Sequence, residues 1–254
     1  MTTIEGSRIL WITGAGKGIG RELAKLYAGE GWTVAVSART GADLRSLASE
    51  LPAGAIHAFP LDVTDEAAVT ATVRTIEAEL GPLDLAILNA GTHVPTDADN
   101  FTTEDVRFLV DTNFIGTVNG IAAVLEVFKR RSCGHIAVVA SLAGYRGLPG
   151  AAAYGATKAA LINLCEALAP DLERSGIKLN LINPGFVETP LTAKNDFPMP
   201  FLMKAEDAAI SIARGLEKSA FEITFPSRFA ALMKLLRILP DRLFFTLTRR
   251  MLRS

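Results

Sequence analysis

Short, continuous apolar segments that alternate with longer helical patterns are the feature that most constrains the fold of this chain. The segments are rich in valine, isoleucine, leucine and alanine, and their apolar residues do not alternate with polar ones. This pattern is typical of parallel strands that helices cover on both faces. The sequence therefore predicts a doubly wound α/β fold whose parallel sheet has about seven strands.

Several elements of this fold can be placed along the sequence. We predict strands over residues 8–13, 33–38, 56–61, 84–88, 135–140 and 178–182. We predict helices over residues 18–30, 43–50, 66–79, 103–130 and 152–175. The proline-containing stretch 189–204 is expected to form a loop over a pocket at the strand ends.

The length and charge of the chain limit its organisation and its partners. Its 254 residues suit one large α/β domain. We assign residues 1–226 to that domain and residues 227–254 to a helical extension of it. The 27 acidic and 26 basic residues nearly balance, so the overall charge does not favour binding to nucleic acid.

The cysteines and histidines do not have the spacing of a metal site. Cys133 and Cys165 lie far apart, as do His57, His93 and His135, so we expect no metal and two reduced thiols in a cytoplasmic protein. The first residues lack an apolar run, so no secretory signal is expected. The sequence contains no stretch of about 18 apolar residues without a charge, so no transmembrane helix is expected.

A glycine-rich turn joins the first predicted strand to the first predicted helix. Its sequence is Thr13-Gly14-Ala15-Gly16-Lys17-Gly18-Ile19-Gly20. Glycines allow the backbone to turn tightly and to approach a pyrophosphate, and the helix N-terminus presents free N–H groups to it. The turn predicts the phosphate site of a dinucleotide in a Rossmann-type fold, although its spacing is GxxxGxG and not GxGxxG.

This turn resembles the cofactor turn of the short-chain dehydrogenase/reductase family, in its single-domain branch. Further motifs follow in the family's order from residue 8 to about 225. Asp62 and Val63 resemble its adenine contact, and Asn89, Ala90 and Gly91 resemble its Asn-Asn-Ala-Gly motif, with Leu88 in place of the first asparagine. The resemblance also implies that Pro184, Gly185 and Val187 hold the nicotinamide carboxamide and that Thr189 lies near the phosphates.

The end of the second predicted strand indicates which nicotinamide cofactor is used. It has Ala38 and Arg39 where an NAD site usually has an acidic residue. A guanidinium can pair with a 2′-phosphate, and Lys17 in the glycine turn could reach the same group. In the family, basic residues at these places mark a preference for NADP, so we predict NADP(H). Alternatively, both cations are solvated surface charges.

Tyr154 and Lys158 form the motif that decides the chemistry. Residues four apart on a helix share one face, so both side chains can point into one site. The ammonium of Lys158 would favour the phenolate and lower the pKa of Tyr154. In the family, the tyrosine exchanges a proton with the substrate oxygen, and the lysine also binds the nicotinamide ribose.

The resemblance supplies two further catalytic residues. Ser141 precedes Tyr154 at the family's spacing, and its hydroxyl can stabilise the substrate oxygen. Asn113 resembles the fourth member of the family's catalytic tetrad, where the asparagine helps to hold a water that passes protons to the lysine. The four residues predict hydride transfer between a nicotinamide and a carbonyl or secondary alcohol, coupled to proton transfer by Tyr154.

Two other functions remain open on the same fold. An epimerase or dehydratase can also use a Tyr-Lys pair, although such relatives are longer and usually have another glycine spacing. A non-catalytic NADP-binding regulator would be expected to lack Tyr154, Lys158 or Ser141. Apolar candidates for the pocket favour a hydrophobic substrate: Leu142, Tyr145, Leu148, Phe186, Met199, Phe201, Leu202 and Met203.

The C-terminal extension predicts two amphipathic helices, over residues 228–239 and 240–252. In the first, Phe229, Leu232, Met233, Leu236 and Leu239 share a face, and in the second, Leu243, Phe244, Leu247 and Met251 do so. An apolar stripe opposite a basic one is typical of a helix at a membrane surface. We prefer packing on protein, because soluble reductases also have extended C-termini. In the family that this chain resembles, the long helices after the fourth and fifth strands commonly pack across a two-fold axis, so the resemblance implies a homodimer or homotetramer formed by the helices 103–130 and 152–175.

Overall fold

The computed structural model describes residues 8–194 and 198–251. Its strands form one parallel sheet in the order β3-β2-β1-β4-β5-β6-β7. The strands are β1 (Ile9–Thr13), β2 (Thr33–Ser37), β3 (Ile56–Ala58), β4 (Leu85–Leu88), β5 (Gly134–Val139), β6 (Ile177–Pro184) and β7 (Glu222–Phe225). The predicted doubly wound sheet is confirmed.

Helices cover both faces of this sheet. They are α1 (Gly18–Gly29), α2 (Gly41–Ser49), α3 (Glu66–Glu79), α4 (Thr103–Leu109), α5 (Gly116–Arg131), α6 (Ala152–Arg174), α7 (Ala205–Leu216), α8 (Ser227–Ile238) and α9 (Asp241–Thr248). One hydrophobic cluster joins the sheet to α3, α5, α6 and α8, and another joins it to α1, α2 and α7. Burial on both faces explains why the strands are apolar throughout.

The structure corrects several predicted boundaries. The strand predicted over 56–61 ends at Ala58, and the helix predicted over 103–130 contains a π-helical turn at Val110–Ile115 between α4 and α5. No element was predicted for α7 or β7. β7 is short and exposes part of Glu222 and Thr224, so it lacks the continuous apolar run that identified the other strands.

The strand order reverses between β1 and β4, and the glycine turn lies at this switch point. The helices after these two strands lie on opposite faces, so a crevice opens between their carboxyl ends. Thr13 closes the floor of the crevice, because its hydroxyl accepts hydrogen bonds from the backbone amides of Asn89 (3.0 Å) and Ala90 (3.1 Å). The Asn89 side chain donates to the carbonyls of Thr13 and Gly14, both at 3.1 Å. The two loops are thus fixed to each other.

The helical segment Thr103–Arg131 is long and apolar enough to cross a membrane by length and composition. More than half of its apolar window is buried inside the fold. Val124, Val127 and Phe128 of α5 belong to the core cluster under the sheet. A core helix passes the same test of length and composition, so the segment is weak evidence for a membrane span.

The C-terminal helices pack on the domain with only part of their apolar residues. Phe229 and Met233 of α8 are buried against the sheet, and Leu236 packs against the same cluster. On α9, Phe244 and Thr248 are buried, whereas Leu243 and Leu247 are exposed. Leu232 of α8 is exposed as well, so only part of each predicted apolar face is buried against the domain. Met251 and the last residues contribute no described side chains.

Arg146, from the loop after β5, anchors both C-terminal helices. Its guanidinium donates to the carbonyls of Leu236 (3.0 Å) and Arg237 (3.3 Å) at the end of α8 and pairs with Asp241 at 2.5 Å. The same group lies 4.0 Å from the centre of the Phe244 ring. One largely buried arginine thus binds the end of α8 and the start of α9, including carbonyls that a helix terminus leaves unpaired.

We expect Arg146→Ala to lower the free energy of unfolding by roughly 2–3 kcal/mol, because several charge-assisted hydrogen bonds of one largely buried guanidinium are lost. Denaturant unfolding should measure this loss, and hydrogen exchange should show faster exchange in α9. Arg174→Ala is the matched control, since its ion pair with Asp171 is exposed and should contribute less than about 1 kcal/mol. Equal stability of the two variants would contradict the anchoring role.

Candidate active site

A cleft of about 350 Å³ lies at the crevice between β1 and β4. The predicted cofactor residues that line it are Gly14, Lys17, Gly18, Ile19, Arg39, Asp62, Val63, Asn89, Ala90, Gly91 and Thr189. Gly20 lies behind this wall, because a Cβ there would be 2.5 Å from the Gly14 carbonyl oxygen. Pro184, Gly185 and Val187 are not among the residues that line this cleft.

The backbone of the glycine turn fits a bound phosphate. Gly14 has a φ of +68°, and a Cβ at this position would lie 2.8 Å from Ala90 Cα, so only glycine allows this approach. The helix α1 begins beside the cleft, and no side chain caps its N-terminus at Lys17. The first amide groups of α1 are therefore available to an anion.

Charged side chains gather at the end of the cleft beside β2. Arg39 is exposed, and Lys17 Nζ lies 3.4 Å from Asp43 Oδ2. The backbone amide of Thr64 is the main cause that holds the pKa of Asp62 below its usual range, and the charge of Arg39 lowers it further. Two cations and two carboxylates thus share this end, so Lys17 has a competing partner that the sequence prediction did not include.

Tyr154 and Lys158 lie one turn apart on α6, as the spacing predicts. Lys158 is buried, and its Nζ donates to the Val139 carbonyl at 2.9 Å and lies 5.7 Å from the centre of the Tyr154 ring. A Cβ on Gly91, which lines the cleft, would lie 3.5 Å from the same Nζ. The Tyr-Lys pair therefore adjoins the cleft.

Ser141 follows β5 and faces the same tyrosine. Burial raises the pKa of Tyr154, and a hydrogen bond with the Ser141 side chain lowers it in part. The Ser141 hydroxyl also accepts from the Ala143 amide at 3.1 Å, which fixes the short turn after the strand. The lowering of the Tyr154 pKa by Lys158 stays a prediction.

Asn113 lies in the π-helical turn and connects three elements. Its side-chain oxygen accepts from the Thr92 amide at 2.7 Å, and its nitrogen donates to the Thr92 carbonyl at 3.0 Å and to the Thr157 hydroxyl at 3.2 Å. These bonds hold the loop after β4 against α6. The bonded residue of α6, Thr157, lies between Tyr154 and Lys158 in the sequence. The predicted role in holding a water stays a prediction, and the observed side chain serves to position the site.

The turn after β6 differs from its predicted role in one respect. The Gly185 amide donates to the Phe225 carbonyl at 2.7 Å, so this group is already used within the fold. Phe186 stacks on Phe229 of α8 with ring centres 5.4 Å apart, and Phe201 lies 6.2 Å from the same ring. Leu142 and Tyr145, which were candidates for the pocket, are buried in the core.

Several residues of this region were not among the predicted site residues, and three of them make specific contacts. His93 contacts Tyr154 edge to face, with ring centres 4.9 Å apart. Asp43 lines the cleft, and Thr13 joins its two loops. His93 and Thr13 follow or end strands at the carboxyl edge of the sheet, so the rule that ligands bind at this edge could have identified them. Across the described ranges, no group of three or more potential metal ligands occurs.

We expect Lys158→Met to stabilise the cofactor-free protein near neutral pH. Burial lowers the pKa of Lys158 from 10.5 to about 8, which corresponds to a cost of roughly 3 kcal/mol for the buried ammonium. Methionine removes this cost but loses the hydrogen bond to Val139, so we expect a net gain of roughly 2 kcal/mol.

The pH dependence of this gain tests its cause. The gain should be complete below the folded-state pKa of about 8 and should disappear as the pH rises toward 10.5, because Lys158 is then neutral in both states. Denaturant unfolding across this range measures it. The exposed Lys129 offers the control Lys129→Met, which should change little. A gain that is independent of pH would exclude burial of the charge as its cause.

Comparison with known proteins connects this site to one family. The family described as short chain dehydrogenase matches residues 8–198. An uncharacterized oxidoreductase from Myxococcus xanthus (strain DK1622) is 40% identical over 246 residues, which cover 96% of this chain and 97% of the relative.

Two solved structures share the fold. A short-chain dehydrogenase from Streptomyces avermitilis has a TM-score of 0.83 and 26% identity, with 96% of each chain covered. A variant of actinorhodin polyketide ketoreductase with NADPH has a TM-score of 0.78 and 26% identity, with 86% of this chain and 95% of the other covered.

Proposed function

Because this chain belongs to the short-chain dehydrogenase/reductase family, we propose that it is an NADP(H)-dependent oxidoreductase that interconverts a carbonyl and a secondary alcohol. The observation that carries this proposal is that Ser141, Tyr154 and Lys158 lie together and that Lys158 adjoins Gly91 in the wall of the cleft. The exposed guanidinium of Arg39 at the far end of the cleft supports a phosphorylated cofactor. The similar ketoreductase structure contains NADPH.

The residues that would hold the cofactor follow from the cleft. The free amides of α1 would bind the pyrophosphate, and Arg39 would pair with the 2′-phosphate, with Lys17 shared between that group and Asp43. Lys158 lies near Gly91, so its ammonium could reach a ribose that binds beside Gly91 in the cleft. When bound, NADPH supplies the hydride.

The side chains around Tyr154 would supply and move the proton. Tyr154 donates its phenolic proton to the substrate oxygen, and the Ser141 hydroxyl steadies that oxygen by a hydrogen bond. Lys158 carries a buried ammonium beside the tyrosine, which would favour the phenolate after the transfer. The hydrogen bonds of Asn113 fix the position of Thr92 relative to α6, so Tyr154 would stay aligned with the substrate oxygen.

A hydrophobic carbonyl compound is the substrate class that we propose. Phe186, Phe201 and Phe229 form an aromatic cluster next to the turn after β6. Aromatic side chains at this position favour an apolar substrate over a charged sugar.

Assembly of the chain into a homodimer or homotetramer stays a prediction.

A panel of carbonyl substrates tests the proposal. Turnover is followed by the absorbance of the reduced nicotinamide, with NADPH and NADH compared for each substrate. We expect reduction of at least one apolar ketone or aldehyde and a preference for NADPH. Tight NADPH binding without turnover of any carbonyl or alcohol would instead support a non-catalytic regulator.

A further inference from the structure

The helix α8 exposes an apolar stripe on the side that faces away from the sheet. Phe229 and Met233 occupy its buried face. Leu232, Leu235 and Ile238 follow one another at intervals of three residues from the edge of that face to its opposite side, and all three are exposed, Ile238 by 76%. Single exposed leucines are normal, but a continuous exposed stripe indicates a surface that contacts something else.

The helix α9 and the turn after it follow this stripe along the chain and carry exposed positive charge. Phe244 and Thr248 are buried, while Arg242, Arg249 and Arg250 are exposed. Within residues 8–194 and 198–251, none of these three arginines has a carboxylate at ion-pair distance. The acid of this segment, Asp241, is already paired with Arg146.

We propose that this tail surface, formed by Leu232, Leu235 and Ile238 with Arg242, Arg249 and Arg250, docks on an anionic lipid bilayer. Guanidinium groups attract anionic headgroups, and the apolar side chains can enter the boundary between headgroups and acyl chains. The proposal concerns a surface and does not depend on the proposed enzymatic function.

The charge pattern favours a bilayer over a second copy of the chain. A two-fold contact brings the same patch of both copies together. The three arginines would then face the same three arginines of the other copy, without a carboxylate on this patch to compensate them. A negatively charged lipid surface compensates all three.

Docking in this orientation would place the aromatic cluster close to the lipid. Phe229, on the inner face of α8, stacks on Phe186, so the cluster lies about one helix diameter, ~10 Å, from the docked surface. The Arg146 contacts keep α8 and α9 fixed to the loop that follows β5. The surface is therefore rigid with respect to the candidate active site.

Co-sedimentation of the full chain with vesicles tests the electrostatic part. We expect binding to vesicles of phosphatidylglycerol and phosphatidylcholine, weaker binding at high salt, and little binding to phosphatidylcholine alone. The triple variant Arg242→Gln, Arg249→Gln and Arg250→Gln should lower the partition coefficient about 100-fold. The matched control Arg74→Gln, Arg130→Gln and Arg174→Gln removes the same charge elsewhere and should bind like the parent.

A second variant tests the apolar part. Leu232→Gln, Leu235→Gln and Ile238→Gln change exposed side chains, so the unfolding midpoint should stay near that of the parent, while vesicle binding should fall at least about tenfold. The proposal is overturned if the parent stays in the supernatant with phosphatidylglycerol vesicles at low salt, or if both arginine variants bind equally. In the first case, a lower mass of the leucine variant by light scattering would identify a second copy as the occupant.

Discussion

Tyr154→Phe is expected to lower kcat at least about 100-fold, because it removes the phenolic proton that we propose is donated to the substrate oxygen. The ring keeps its packing against His93, and Tyr154 belongs to α6 and not to the glycine turn or α1, which would bind the phosphates. NADPH affinity should therefore remain nearly unchanged. Steady-state kinetics on the best carbonyl substrate and fluorescence titration with NADPH measure the two effects separately.

Two variants complete this experiment. Tyr27→Phe removes a phenolic hydroxyl on α1, far from the site, and should retain the parent's kcat. Lys158→Ala should lower both kcat and cofactor affinity, since Lys158 adjoins Tyr154 and the cleft. Near-normal kcat in the Tyr154→Phe protein would show that another group donates the proton, with His93 as the first residue to examine.

Arg39→Asp should shift the cofactor preference from NADPH toward NADH. The change removes a charge-assisted contact and adds repulsion of the 2′-phosphate, so Kd for NADPH should rise roughly ten- to 100-fold. Kd for NADH should change little, because a carboxylate at this strand end can accept hydrogen bonds from ribose hydroxyls. Titration with both cofactors gives the ratio directly.

The control for this charge reversal is Arg45→Asp. Arg45 lies on α2 near the cleft but does not line it, so its reversal should affect both cofactors alike. A larger role for Arg39 than for Lys17 is expected, since Lys17 is already near Asp43. Unchanged relative affinities for NADPH and NADH in the Arg39→Asp protein would contradict the assigned contact.

Local sequence was sufficient for the sheet and for most of the cleft. The apolar runs predicted six of the seven strands, because a strand buried on both faces needs apolar residues throughout. The glycine turn was recognisable because its function depends on consecutive backbone geometry, such as the positive φ of Gly14. The Tyr154–Lys158 spacing likewise places both residues on one helix face without any knowledge of the rest of the fold.

Other features depended on contacts between distant segments. Asp43 reaches Lys17 only because α2 packs beside the glycine turn, and His93 reaches Tyr154 only because the start of α6 packs against the loop after β4. The side chain of Asn113 is occupied by Thr92 and Thr157, a pairing that no periodicity predicts. Such contacts arise from how helices and loops pack, which the local pattern does not specify.

The C-terminal extension separates the two sources of information most clearly. The sequence by itself determined that residues 228–252 contain amphipathic helices with many arginines, because helical periodicity is a local property. Only the tertiary structure decided that Phe244 packs inward while Leu243 and Leu247 remain exposed. The physical reason is the position of Arg146, which binds the end of α8 and the Phe244 ring and so sets the rotation of α9 against the domain.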